Sequence, residues 1–120
     1  MDINQTLAEL KKDPEFAKNV GMILVHNGIV RTWSRADKSD VEAVNVKADH
    51  AKVAELCREY EQKPGIYKVL AEAREGKLYP GDDLLFIIVA GALREDVKPV
   101  LAELLDRIKD EAVSKTEDKV

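Results

Sequence analysis

The chain has 120 residues, 45% hydrophobic and 35% charged, which suits one domain with a single core and leaves no room for two. Its formal charge of -4 opposes nonspecific nucleic-acid binding, because phosphate contacts need clustered lysine and arginine and here the basic residues are interleaved with acids. No apolar run approaches the ~20 residues of a membrane helix, and the start Met1-Asp2-Ile3-Asn4 lacks a basic region followed by an apolar core, so a soluble cytoplasmic protein is expected.

In chain order, Ile3, Leu7 and Leu10 recur at helical spacing from Asp2 to Lys12, and Asp13-Pro14 disfavours continuing that helix. Val20 to Val25 is nearly all apolar and rich in branched side chains, which reads as a buried strand continuing to Arg31. Thr32 to Asp40 is polar and reads as a loop. Val41 to Val46 alternates imperfectly and is expected to pair with the preceding strand as a hairpin. From Asp49 to Gln62, Val53, Leu56, Cys57 and Tyr60 form one helical stripe, with Asp49 as cap and Pro64-Gly65 as terminator.

A strand from Ile66 to about Glu72 follows, then a turn over Gly76 to Asp82, in which Pro80-Gly81 suits positive φ at Gly81. Leu84 to Val89 is the most apolar run of the chain, as expected of a central strand covered on both faces. Glu95 to Lys109 carries Val97, Val100, Leu101, Leu104, Leu105 and Ile108 at helical spacing, with Pro99 assigned to the tolerant first turn. Beyond Glu111 the chain is polar and is expected to fray. The fold class expected from these elements is α+β, in one domain with a helical extension over residues 1–18, two main amphipathic helices and a flexible tail over residues 112–120.

Several side chains have chemistry worth weighing. The single cysteine, Cys57, forms no internal disulfide, builds no zinc or iron-sulfur site alone, and reads as a small buried apolar group on its helix stripe. Arg94 stands where a buried strand leads into a helix start, so it reads either as an anion-binding guanidinium or as a partner of Glu95 and Asp96. Lys109 borders the apolar stripe and is either a partly desolvated amine with a lowered pKa or a solvated lysine at the helix's negative end. Arg31 closes its strand as a phosphate or carboxylate ligand, or as a partner of Asp37 or Asp40. His26, His50, Trp33 and Tyr79 read as structural or packing residues, and Arg35 and Lys38 either as a basic rim or as solvated loop charges.

The strand closing on Asn27-Gly28-Ile29-Val30-Arg31, together with the order from Gly76-Lys77-Leu78-Tyr79-Pro80-Gly81-Asp82 through Leu93-Arg94 to Lys109 and Ser114-Lys115-Thr116-Glu117, resembles the large, catalytic subunit of molybdopterin synthase, the MoaE family. The resemblance spans most of Val20 to Glu117. It implies a hammerhead-like mixed sheet and a reaction that opens the cyclic phosphate of a pterin precursor. Two sulfurs are then installed from the thiocarboxylated carboxy-terminal glycine of a small ubiquitin-like partner, a MoaD-like subunit.

On this resemblance Lys109 and Lys115 are the catalytic residues and Arg31 and Arg94 bind substrate. No metal or other cofactor is implied, and a homodimer is expected. The chain departs from the family pattern at Leu93 and Ala73, where histidines are usual, and at Ala112-Val113-Ser114, which lacks the proline and aromatics that precede the second lysine. A non-catalytic MoaE-like binding protein and a small α+β dimerisation or ligand-binding module are the alternatives.

Overall fold

The computed structural model describes all residues from Met1 to Val120. In chain order its elements are α1 (Ile3–Lys11), α2 (Phe16–Asn19), β1 (Met22–Ile29), β2 (Val41–Ala48), α3 (His50–Glu61), β3 (Ile66–Ala73), β4 (Gly76–Leu78), β5 (Asp83–Gly91), α4 (Arg94–Glu111) and β6 (Val113–Lys119). The strands divide into two three-stranded sheets, ordered β1-β5-β3 and β4-β2-β6, and every pairing is antiparallel.

β5 lies at the centre of the first sheet, and its residues from Leu85 to Ala90 are each no more than 4% exposed. Alternation explains how one strand fills two layers. Leu85, Ile87 and Val89 face a core completed by Val53, Leu56 and Tyr60 of α3 and by Val97, Leu104 and Ile108 of α4. Phe86 and Ile88 face the other way, toward the side on which Glu72 of β3 receives the Met1 ammonium. Asp13 accepts the Tyr67 hydroxyl proton at 2.6 Å and Phe16 meets the Tyr67 ring edge-on, so the amino-terminal helices are docked on β3.

The caps follow the sequence. Asp2 accepts the Gln5 N–H and Asp49 the Lys52 N–H, both at 3.0 Å, supplying partners for donors that the first helical turn leaves free. Gly81 has φ +94, the left-handed conformation expected at its turn.

Three expectations are corrected. β2 does not form a hairpin with β1. It is the middle strand of the second sheet, where Val41, Val44 and Val46 bury against Val30 and Leu78 in a separate small core. The polar carboxy-terminal stretch is not frayed either: β6 pairs with β2 from Val41↔Lys119 to Ala48↔Val113. An edge strand needs backbone partners on one side only, so polarity does not bar it from the sheet. Finally, α4 begins at Arg94 and places Pro99 at its sixth position, past the first turn, where the ring removes the N–H that would reach the Glu95 carbonyl.

Candidate active site

A cavity of about 840 Å³ is lined by residues from strands of both sheets. Its walls come from five places. β1 gives His26 and Gly28, the loop after it Arg31, Trp33 and Arg35, β5 Leu84 and Leu85, the last turn of α4 Lys109, and β6 Lys115 and Glu117. The floor is apolar, with Val30, Val44 and Val113 joining the β5 leucines, while the rim carries four cations against one carboxylate.

Each rim residue is set by a local device. Lys115 lies opposite Val46 in the β2–β6 ladder, so backbone pairing positions it without the proline and aromatics that the sequence lacks before it. Burial on the cavity side, then the charges of Lys109 and Arg31 and more weakly Arg35, lower its pKa, with Glu117 acting in the opposite sense. This enlarges the fraction of neutral amine. Glu117 accepts the proton of the Ser34 hydroxyl at 2.7 Å, a bond that together with the Lys119 and Lys115 charges holds its carboxyl below the usual range. Ser34 is 1% exposed and ties the loop to β6.

Arg31 makes neither of the ion pairs expected with Asp37 or Asp40. Asp37 instead accepts from Ser39 and pairs with Lys119. The Arg31 guanidinium stacks over the Trp33 ring, 4.4 Å from its centroid, and the Lys38 ammonium lies 4.9 Å from the same centroid. An indole with cations over it is a platform that orients charge without neutralising it. Lys38 reaches this position from a left-handed backbone, φ +62.

Lys109, Lys115 and Arg31 therefore line one cavity, but Arg94 does not join them. It opens α4, ~22 Å along the helix axis from Lys109 at 1.5 Å per residue, and pairs with Glu95 at 3.3 Å. Lys109 itself is exposed rather than shielded by the stripe it borders.

The protein-family model described as "MoaE protein" matches residues 1–111. The chain belongs to the MoaE family. Among relatives of this MoaE chain, a probable molybdopterin synthase of Haloferax volcanii is 25% identical over 111 residues; the match covers 89% of the chain and 42% of that protein, so the chain spans less than half its length. The structure of molybdopterin synthase from Staphylococcus aureus aligns with a TM-score of 0.73 at 25% identity, over 84% of this chain and 76% of that one. Molybdopterin cofactor biosynthesis protein E of Burkholderia multivorans gives 0.74 at 24% identity, over 100% and 82%. Subunits 1 and 2 of the Helicobacter pylori molybdopterin-converting factor were solved as a complex, to which this fold aligns with a TM-score of 0.72 at 16% identity, over 98% and 78%.

In this MoaE chain the sequence reading missed three cavity residues. From sequence, His26 and Trp33 read as structural and packing residues and Glu117 has no role in a fraying tail; only once β6 pairs with β2 does alternation put Glu117 on the same face as Lys115. Nothing local could have placed Trp33, because its position depends on the fold of the loop from Val30 to Asp40.

Proposed function

We propose that this chain is the large subunit of a molybdopterin synthase, transferring sulfur from a thiocarboxylated carboxy-terminal tail to a cyclic pterin phosphate. The observation that carries the reading is the convergence of Lys109, Lys115 and Arg31 on one apolar-floored cavity. The apolar floor suits a fused ring, and the rim's excess positive charge suits phosphate and a thiocarboxylate, both anionic. Attack on the ring carbon by the tail's sulfur breaks a carbon–oxygen bond to phosphate, and Arg31 with Arg35 stabilises the negative charge that the departing oxygen retains. Lys115, whose pKa is lowered by burial and by the neighbouring cations, serves as the proton acceptor among the lysines. Lys109 neutralises the incoming tail.

Arg94 belongs to this reading only through a second copy, since one chain cannot bring it to Lys109. The homodimer is accordingly part of the proposal. A small partner with a flexible tail completes the assembly, with its terminal carboxylate group captured by the rim cations. The test is reconstitution: the purified chain, a thiocarboxylated small partner and the cyclic pterin phosphate are combined and dithiolene formation is measured. Product is expected. Complex formation without product would leave a binding protein, and neither complex nor product would remove the reading altogether.

A further inference from the structure

His26 is the cavity residue to which no role has been given. It sits on β1 opposite Ile87, so its side chain shares the face of β5 that turns toward α4. Two residues on, Gly28 presents no side chain, and a Cβ there would lie 3.1 Å from the imidazole Nε2. The absent side chain thus leaves the ring its place at the cavity wall. The other histidine is spoken for: His50 contacts Glu75 at 3.1 Å, whereas burial and the Lys109 charge are the influences on His26, with no hydrogen bond among them. Both act to disfavour the imidazolium and so favour the neutral ring.

The charged groups around it are Lys109 from α4, Lys115 and Glu117 from β6, and Arg31 and Arg35 from the loop. β5 adds only Asp83, which lies opposite Ile29 at the far end of the pairing.

We propose that His26 is a proton-transfer residue of this cavity, serving the hydrolysis that frees each transferred sulfur from its acyl carrier. The inference rests on the sulfur-transfer reading above. Once the tail's sulfur has bonded to the ring carbon, it still carries the tail's acyl group. Water must add to that acyl carbon. As the carbon–oxygen bond forms, the imidazole takes one proton from the water, and as the acyl carbon–sulfur bond breaks, it returns that proton to the departing sulfur. The tail leaves as a carboxylic acid, which loses its proton to solvent. A neutral, unpartnered imidazole both accepts and donates at one site.

The experiment is the pH profile of dithiolene formation, measured with the complete complex for wild type, His26→Gln and His50→Gln. Wild type and His50→Gln should share an acid limb below the ordinary histidine value of 6.5. His26→Gln should lose that limb and fall about 100-fold in rate, within the range general acid–base catalysis contributes, while still binding the small partner. A His26→Gln rate within about twofold of wild type, with the limb retained, overturns the proposal and leaves the sulfur-transfer reading standing. A wild-type complex that forms and makes no product overturns both. If His26→Gln does not fold, the imidazole titration of wild type followed by NMR decides: it must coincide with the kinetic acid limb, and a mismatch removes His26 from the reaction.

Discussion

At the residue scale, the rim cations differ in what their surroundings do to them. Lys115 is perturbed first by burial and then by the charges of Lys109 and Arg31, whereas Arg31 is held by an aromatic ring and not by an acid. Lys109 stands at the cavity mouth on a helix whose packing depends on Leu104 and Ile108, which are buried while Lys109 is exposed. Lys109→Ala should therefore eliminate dithiolene product while leaving the circular dichroism spectrum and melting curve as in wild type; undiminished turnover would exclude Lys109 from the chemistry. Cys57 has the opposite character. Burial, with the Glu61 charge adding to it and Arg58 opposing, pushes its thiol up to about 11, and the side chain lies in the main core. A thiolate is the reactive form, so native protein should resist iodoacetamide at pH 8 and become alkylated only in denaturant, as read by mass spectrometry. Rapid labelling of the native chain would show that the α3 core opens.

At the element scale, α4 joins the core to the cavity. Its buried face touches β5, while Arg107 on another face pairs with Glu59 of α3 and with Glu111, and lies over Tyr60. Leu104 is fully buried, so Leu104→Ala removes apolar contact and leaves a void, with an expected loss of about 2–5 kcal/mol in urea denaturation. A loss below ~1 kcal/mol would mean that the neighbouring side chains close the gap.

β6 is attached by polar groups, which makes it sensitive to acid. Glu117 has a folded pKa below its ordinary 4.5, so the stability from its bond to Ser34 is complete above 4.5 and is lost as pH falls through the lower folded value. The stability difference between wild type and Ser34→Ala should consequently be larger at pH 7 than at pH 3.5. An equal difference at both would show that Ser34 contributes through packing alone.

At the scale of the whole molecule, the chain is elongated, 50 × 25 × 24 Å, with α4 running away from the cavity to Arg94. A substrate site using both Lys109 and Arg94 needs two copies. Mixed Lys109→Ala and Arg94→Ala chains should then recover product that neither variant forms well alone, because a heterodimer contains one site with both residues intact. Absence of recovery, with exchange of chains verified by native mass spectrometry, would confine Arg94 to its contact with Glu95.

What the sequence determined by itself was everything governed by local periodicity and capping. The helices at α1, α3 and α4, the caps at Asp2 and Asp49, the glycine turn at Gly81 and the central position of β5 follow from side-chain spacing and backbone preference, which act over a few residues. The likeness to the family singled out Lys109, Lys115 and Arg31, and the fold brings these three to one cavity. Tertiary structure alone decided which strands pair and which side chains face each other across distance. β2 left β1 for a second sheet because its valines bury against Leu78 and Val30, and β6 formed because β2 offered it a free edge. His26, Trp33 and Glu117 gained a common cavity, while Arg94 was carried to the far end of α4. Such pairings are fixed by long-range packing and backbone hydrogen bonding between segments far apart in the chain, and no local pattern of residues encodes them.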